Sequence, residues 1–282
     1  MKSDQYPVAR LGSHSLSPIA PFSSLWRNGK LIYELTKRDI TGRYRGSVAG
    51  SLWAFLTPLL MLAIYSFVFG YIFKSRWTAA ESGNVSFPIV LFVGLIFSNF
   101  LAECLNRAPA LITANPNYVK KVVFPLEVLP WVAVGTALFH ALISIFVLLL
   151  VMVCTGTPLG PTALLLPVAF LIFVPVIAGL SWMLAALGVY FRDLQQIMAV
   201  VTTAMVFLAP IFYPRSMLPD SIRWVLAINP LTYVVEVARG LMLWGQLPSL
   251  LALASYALVS LLVAWAGWVC FQLTRRGFAD VI

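Results

Sequence analysis

Residues 128–154 have the sequence VLPWVAVGTALFHALISIFVLLLVMVC, which contains no Asp, Glu, Lys or Arg. A helix needs about 20 consecutive apolar residues to cross the hydrocarbon core of a bilayer, so this stretch is long enough to span a membrane. The whole chain has the same character, with 61% apolar and 10% charged residues among 282 and a mean hydropathy of +0.91. Soluble domains have about 45–50% apolar and about 25% charged residues. We therefore predict an all-α integral membrane protein and exclude a disordered chain, a disulfide scaffold and a soluble nucleic-acid binder.

Six candidate spans emerge when the same length criterion is applied outward from this stretch. They are Leu52–Phe73, Pro88–Ile112, Val128–Cys154, Ala163–Tyr190, Ile197–Phe212 and Leu250–Leu273. The fifth is short and is interrupted by Pro210, so an earlier start near Gln195 is also considered. Residues 1–45 contain no apolar segment of the kind that a signal peptide needs, and we expect the first span to direct insertion.

The distribution of charge predicts which way the chain lies. Six spans place both termini on one side, and with cytosolic termini the inner segments hold 14 Lys and Arg against 5 in the outer segments. This bias agrees with the positive-inside rule, so we predict a multi-pass protein with both termini in the cytosol. The net charge of +9 fits contact with anionic membrane lipid rather than with nucleic acid. The three cysteines lie singly, which supports neither a zinc site nor a disulfide framework.

Three segments outside the spans have predicted roles. Residues 1–21, rich in Pro, Ser and Gly, are predicted to be a flexible cytosolic tail. Residues 22–50 follow, and within them Phe22–Arg45 has apolar residues at helical spacing among basic ones, which predicts an amphipathic helix at the inner membrane surface. Between spans five and six, Asn229 can cap a helix that begins at Pro230 and stops at Gly245. We expect a re-entrant or interfacial pair of short helices there, because exposed backbone at membrane depth must be covered by protein.

The chemistry that the sequence lacks narrows its function. No GxxxxGK[ST] loop is present, so the chain has no visible site for ATP, and neither DxD nor HExxH occurs. His140 in span three is either a neutral imidazole bonded to a neighbouring helix or part of a proton relay. A relay needs an acidic partner at similar depth, and we expect none. Glu103 and Arg107 either neutralise each other or line a polar access route.

Glycine and aromatic residues form two further patterns around span one. Gly42, Gly46 and Gly50 are four residues apart, which favours either close helix packing or a hinge before the span, and the hinge is preferred. Tyr65, Phe69 and Phe73 form an i, i+4, i+8 stripe. Its rings either face lipid and core or line a conduit in which sugar rings can stack and slide.

Four motifs in register carry a resemblance to a known family. They are KRDITGRYRGS at 37–47, continuing to Thr57-Pro58-Leu59; Asn115-Pro116 with KKVVFP at 120–125 and EVLP at 127–130; YFRDL at 190–194; and NPLTY at 229–233 with Glu236 and Arg239-Gly240. Together they resemble the membrane subunit of type-2 ABC exporters of bacterial surface polysaccharide, over roughly residues 25–280. Relatives in that family move O-antigen, capsule and teichoic acid.

The resemblance implies a homodimer of six-span subunits in the bacterial cytoplasmic membrane, bound to two cytosolic ATPase subunits that hold ATP and Mg²⁺. This chain would bind no cofactor itself and would pass a lipid-linked glycan, with O-antigen favoured over capsule and teichoic acid. The implied site residues fall into three groups. ATPase coupling is assigned to Lys37, Arg38, Asp39, Arg43, Asn115, Pro116, Lys120, Lys121, Phe124, Pro125, Arg192 and Asp193, channel lining to Tyr65, Phe69 and Phe73, and a periplasmic gate to Asn229, Pro230, Tyr233, Glu236 and Arg239.

Some of these assignments have simpler alternatives. Lys120 and Lys121 also serve as a positive-inside signal, and Arg192 and Asp193 also fit a plain helix-end ion pair. At the level of the whole protein, an ion-coupled carrier for a lipid-linked sugar, a membrane-embedded glycosyl- or acyltransferase, and a drug or lipid exporter remain as alternatives.

Overall fold

The computed structural model describes residues 16–72, 85–120, 124–217, 219, 221 and 223–282, which are helical with no strand. Five helical stretches in the described part are long and apolar enough to cross a membrane: Gly50–Ile72, Phe87–Ala110, Val128–Cys154, Pro161–Tyr190 and Leu250–Val281. The helices are α1 (Ala20–Arg27), α2 (Gly29–Tyr44), α3 (Trp53–Tyr65), α4 (Phe87–Arg107), α5 (Pro116–Lys120), α6 (Val128–Cys154), α7 (Leu166–Tyr190), α8 (Leu194–Phe207), α9 (Arg223–Ile228), α10 (Pro230–Arg239), α11 (Leu250–Thr274) and α12 (Phe278–Val281).

The predicted spans agree closely with the helices, except for the fifth. Helix α8 begins at Leu194, as the alternative start near Gln195 indicated, but it ends at Phe207 rather than at Phe212. Its 14 residues rise about 21 Å, which is shorter than a bilayer core. The chain turns at residues 208–213 because Pro210 cannot continue the helix.

The predicted single helix over Phe22–Arg45 is wrong, because the structure has two helices that meet at Asn28. Asn28 leaves the helical conformation (φ −104°, ψ 15°), and its side-chain amide donates to the Ser24 carbonyl at 3.0 Å. Asn followed by Gly is a poor helix-forming pair, which explains the break. Helix α1 starts at Ala20, inside the predicted tail, and the Trp265 indole of α11 donates to the Leu16 carbonyl at 2.8 Å; residues 1–15 lie outside the described residues.

The link between α2 and α3 is a turn rather than a close helix contact. Gly46 and Gly50 have positive φ angles of 86° and 51°, which L-residues with side chains rarely adopt. No atom lies within 4 Å of a Cβ built on either glycine. The chain thus changes direction at these two glycines, as the prediction of a turn from the surface helix into span one requires, whereas Gly42 lies inside α2. Among the described residues, no helix packs against these glycines.

Helices α7 and α11 form the tightest helix pair of the core. A Cβ on Gly179 or Gly267 would lie less than 3 Å from the backbone of the opposite helix, so only glycine fits at either position. Pro175 interrupts α7, and the Ser260 hydroxyl of α11 occupies the gap, accepting from the Val176 amide at 3.1 Å and donating to the Ile172 carbonyl at 2.6 Å. The backbone groups next to this proline are thus hydrogen-bonded by a neighbouring helix, as the hydrocarbon environment requires.

Helix α4 is the central element and defines two ends of the molecule. Its last residue, Arg107, contacts α2, whereas Arg239 of α10 contacts the Val90 carbonyl in its first turn. Val90 and Arg107 are 17 residues apart in α4, which corresponds to about 26 Å along the helix axis. We call the two ends the α2 end and the α10 end.

At the α10 end, the predicted pair of short helices is confirmed. The Asn229 side chain caps α10 by accepting from the Leu231 amide at 3.0 Å, and Pro230 is the first helical residue. The helix continues through a π turn over Gly240–Trp244 and stops at Gly245, where φ is +66°.

Candidate functional site

A charged cluster joins α2 to the spans at the α2 end. The Glu103 carboxylate of α4 accepts from Arg43 of α2 at 2.8 Å and from His140 Nδ1 of α6 at 2.9 Å. Because a carboxylate only accepts, Nδ1 carries the hydrogen, and in the neutral imidazole Nε2 accepts from the Tyr44 hydroxyl at 3.1 Å. His140 is therefore bonded to neighbouring helices, as the simpler interpretation predicted. The expectation that it has no acidic partner at its depth is wrong, since Glu103 is that partner.

A second cluster lies beside the first. Both oxygens of the Asp39 carboxylate accept from Arg107 Nη2, at 3.0 and 2.9 Å, and the Thr136 hydroxyl donates to Asp39 Oδ2 at 2.9 Å. Arg107 and Glu103 are 4.0 Å apart at their closest. Glu103 and Arg107 therefore lie closer to their partners on α2 than to each other. The predicted ion pair between Glu103 and Arg107 is present but is the longest of the three contacts. Burial raises the pKa of the neighbouring Tyr44, which keeps its hydroxyl protonated.

The short helix α5 contacts α2 through an aromatic side chain. The Arg38 guanidinium donates to the Tyr118 hydroxyl at 2.9 Å, and the Tyr118 ring stacks on Phe124 with centroids 4.3 Å apart and planes 12° apart. Asn115 precedes the helix, and its side-chain amide donates to the Leu111 carbonyl at 2.9 Å. The described part of the loop between spans two and three is thus folded and attached to α2.

The same loop is attached on its other side to span six. Arg275 Nη1 is 2.7 Å from Glu127 Oε2, and Nη2 of the same guanidinium donates to the Phe124 carbonyl at 3.2 Å. The Glu127 side chain is only 4% exposed. A buried ion pair of this kind fixes the distance between the loop and α11.

The remaining predicted coupling residues lie on the surface of this end. Lys37, Lys120, Arg192 and Asp193 are exposed, and in the described ranges they make no side-chain hydrogen bond or ion pair. The simpler prediction that Arg192 pairs with Asp193 is therefore wrong. Pro116 begins α5, Pro125 follows Phe124 in the loop, and Lys121 lies outside the described residues.

The residues of the aromatic stripe in span one have different neighbours. Phe69 packs against Phe87 of α4 and Phe212 after α8, with ring centroids 5.7 and 6.2 Å apart. Tyr65, one turn earlier, lines an open cavity. Phe73 lies outside the described residues, so the predicted stripe is described at two of its three positions.

Arg239 is the most deeply buried charged residue among those described, at 1% exposure. Its guanidinium donates to three backbone carbonyls, those of Val90, Pro210 and Ile211. Helix α10 is thereby fastened both to α4 and to the turn that follows α8. Gly94 provides the space for this, because a Cβ there would lie 3.0 Å from Arg239 Nη2.

The other predicted gate residues line a cavity of about 540 Å³ between α7, α8, α10 and α11. Glu236 is 3.7 Å from Arg215, and burial raises the pKa of its carboxyl although Arg215 opposes the shift. The Tyr233 ring stacks on Tyr256 at 5.0 Å. Tyr256 in turn donates to the Pro230 carbonyl at 2.9 Å.

Sequence reasoning missed the partners that hold the predicted elements in place. Glu127 lies inside the EVLP motif without an assigned role, and neither Tyr118 nor Arg275 was considered. Glu127 lies directly before span three and Arg275 directly after span six, on the same side of the membrane. Opposite charges at the same depth could have indicated an ion pair between these two spans. Which spans are neighbours, however, is decided by the tertiary fold.

Comparisons with known proteins cover most of the chain. Residues 30–243 match the family described as ABC-2 type transporter. The chain is 31% identical to the O-antigen export system permease protein RfbA of Myxococcus xanthus over 92% of its own length and 97% of the relative's. It is 26% identical to the protein of the same name from Klebsiella pneumoniae (89% and 95% covered) and 28% identical to the polysialic acid transport protein KpsM of Escherichia coli (81% and 88% covered).

Proposed function

This chain belongs to the ABC-2 type transporter family, and we propose that it is the conduit-forming permease subunit of an ATP-driven exporter of surface polysaccharide. The observation that carries the proposal is its similarity, across 92% of its length, to a protein named as an O-antigen export permease. A second O-antigen permease is similar over 89% of the chain, whereas KpsM is similar over 81%. We therefore favour O-antigen as the substrate, with capsular polysaccharide and teichoic acid as alternatives.

The energy source is a separate subunit. The sequence contains no phosphate-binding loop of its own, so we assign ATP and Mg²⁺ to two cytosolic ATPase subunits. They dock at the α2 end, on α2, on α5 and on the turn at Arg192 and Asp193. This places both termini in the cytosol of a bacterium and the α10 end on the periplasmic side, in agreement with the distribution of Lys and Arg.

The contacts at the α2 end support a mechanical role. Closure of the ATPases would press on α5, whose Tyr118 accepts a hydrogen bond from Arg38 of α2 and stacks on Phe124. The Phe124 carbonyl in turn accepts from Arg275, which follows α11. From α2, the ion pairs of Asp39 and Arg43 lead to α4. A movement of the docking helices is thereby delivered to spans two, three and six together.

A homodimer completes the conduit. Span one, Gly50–Ile72, is almost entirely exposed, with only 6% of its most apolar stretch buried. Apolar side chains exposed in this way gain packing when a helix of a second subunit covers them. We assign the exposed surfaces of span one and of α8 to the region around a two-fold axis, which is the commonest symmetry of homo-oligomers. A lipid-linked glycan would pass along this axis and leave beneath α10, whose anchoring through Arg239 suits a gate.

The docking assignment is tested by replacing Lys120 and Lys121 with Ala and Gly in the complex co-purified with its ATPase. We expect the ATPase to bind this subunit more weakly and polysaccharide-stimulated ATP hydrolysis to fall several-fold. Arg27→Ala, an exposed basic residue on α1 outside these docking elements, is the matched control and should leave hydrolysis unchanged. Unchanged hydrolysis in the double variant would exclude this docking surface.

The ion-coupled alternative makes the opposite prediction about energy. Export by such a carrier collapses when the proton and sodium gradients are dissipated and proceeds without any ATPase. Export by the proposed complex continues in vesicles without gradients as long as ATP is supplied.

A further inference from the structure

A cavity of about 340 Å³ lies between α3, α4 and α6 near the α2 end. Its volume falls within the range of about 300–1,000 Å³ that is usual for ligand pockets. Unlike the cavity at the α10 end, it is lined mainly by polar and aromatic side chains. These include Arg43, Trp53, Thr57, Tyr65, Asn99, Glu103 and His140.

One face of α3 forms the longest wall of this cavity. Trp53, Thr57, Met61 and Tyr65 line it and follow each other at intervals of four residues. Residues four apart lie on the same face of a helix, and this face is about 18 Å long at 1.5 Å per residue. The helix face that carries Tyr65 and Phe69 therefore continues inward through Met61 and Thr57 to a further aromatic residue, Trp53.

The opposite wall contains an exposed amide on an otherwise buried helix. From Phe87 to Leu101, every residue of α4 is buried except Asn99, which is exposed. An asparagine inside a membrane span is costly unless its amide is hydrogen-bonded. The exposure of Asn99 into a cavity, rather than into the helix packing, indicates that its partner comes from outside the chain.

Four polar groups around the cavity have hydrogen-bonding capacity left over. In the described part of the chain, the Asn99 amide, the Trp53 indole N–H and the hydroxyls of Thr57 and Tyr65 make no side-chain hydrogen bond. Glu103 and His140, in contrast, are paired with Arg43 and Tyr44. The cavity thus offers donors and acceptors on its long walls and a neutralised cluster at its α2 end.

We infer that this cavity is a carbohydrate-binding chamber for one or two sugar residues of the exported chain. Aromatic faces for stacking, together with amide and hydroxyl groups that both donate and accept, match a polyhydroxylated ring. A phosphate fits less well, because the Arg43 guanidinium is already held by Glu103, whose carboxylate repels an anion. The inference rests on the proposed function and adds to it a substrate-contacting role for Asn99, Trp53 and Thr57.

The chamber ends next to the aromatic cluster around Phe69. Tyr65 lines it, and the next residue of the stripe, Phe69, packs on Phe87 and Phe212. A sugar in the chamber would therefore lie directly below this aromatic contact.

The test is photo-crosslinking in the assembled exporter. A benzoylphenylalanine is introduced in place of Asn99, or in place of Tyr65 where the aromatic ring is kept, in cells that normally express the chain and make its polysaccharide. After irradiation the exporter is purified and its permease band is probed with a carbohydrate stain. The same amino acid in place of Phe146, a residue of α6 that is 56% exposed and does not line the cavity, is the control.

A carbohydrate-stained adduct from positions 99 and 65, and not from 146, is the expected result. An adduct joining two permease chains, or an adduct with lipid alone, would overturn the inference, because the cavity would then be covered by a second copy or by membrane. Surface polysaccharide is measured in the same cells. Normal export without a sugar adduct would disprove the chamber but not the proposed function. The proposed function would be disproved if the unsubstituted chain, supplied to a strain from which its gene is deleted, failed to restore export.

A second measurement addresses specificity. Asn99→Leu removes the amide but keeps the size of the side chain, and we expect at least a fivefold rise in the polysaccharide concentration that half-maximally stimulates ATP hydrolysis. An unchanged half-maximal concentration would contradict a role for Asn99 in binding.

Discussion

The two ends of α4 hold their arginines in different ways. At the α2 end, Arg43 and Arg107 pair with carboxylates of other helices and are 39% and 31% exposed. At the α10 end, Arg239 is 1% exposed and donates to three backbone carbonyls, one in α4 and two in the turn after α8. Side-chain carboxylates can exchange partners when helices move, whereas carbonyls of fixed backbone cannot. The difference suggests a movable joint where an ATPase would push and a rigid anchor where α10 meets the spans.

The largest expected effect is at the rigid end. Arg239→Leu leaves the buried carbonyls of Pro210 and Ile211 without a donor, at about 1–3 kcal/mol each. We therefore expect the free energy of unfolding to fall by about 4 kcal/mol, measured by thermal unfolding of the purified protein in detergent. Arg215→Leu, an exposed arginine at the same end, should change it by less than about 0.5 kcal/mol. Equal effects of the two variants would mean that Arg239 is not an anchor.

The next effect in size concerns the link between the loop after α5 and span six. Glu127→Ala leaves Arg275 in a largely buried position without its counter-ion, and removal of one partner of a buried pair costs about 3 kcal/mol. We expect the ATPase to dissociate more readily and less polysaccharide to be exported per ATP hydrolysed. The exchanged pair, Glu127→Arg with Arg275→Glu, should recover part of both. No recovery, together with normal unfolding, would show that the pair does not connect loop and span.

A smaller effect is expected at the movable joint. Glu103→Gln keeps an acceptor for His140 but removes the charge that attracts Arg43, so stability should fall by only about 1 kcal/mol. The ratio of ATP hydrolysed to polysaccharide exported should nevertheless rise, because α2 is then less firmly attached to α4. Glu34→Gln, an exposed glutamate of α2, is the control. A stability loss as large as that of Arg239→Leu would remove the distinction between the two ends.

An effect of similar size on stability, without an effect on coupling, is expected at the cap of α10. Asn229→Ala removes a helix cap, at about 1 kcal/mol, and the hydrogen bond from its amide to the Met205 carbonyl at 2.7 Å. Ser249 caps α11 through a longer contact of 3.3 Å in an exposed position, so Ser249→Ala should cost less. Thermal unfolding of both variants measures the difference, and a larger loss from Ser249→Ala would contradict the importance assigned to α10.

Hydropathy and helix-end residues made most of the helices predictable. Span three has the predicted bounds, and the roles of Asn229, Pro230 and Gly245 at the ends of the outer helix are local properties of the chain. The break at Asn28 was missed because amphipathic spacing continues across it. The site was less predictable. His140 meets Glu103 from 37 residues away and Arg275 meets Glu127 from 148 residues away, and such contacts depend on which spans pack together.

The central claim is that this chain supplies a conduit and that a separate ATPase drives transport. Its most direct test is reconstitution of the purified chain into vesicles with lipid-linked polysaccharide, with and without the ATPase subunit. We predict ATP-dependent transfer of polysaccharide only when both proteins are present. Transfer by the purified chain alone would contradict the claim.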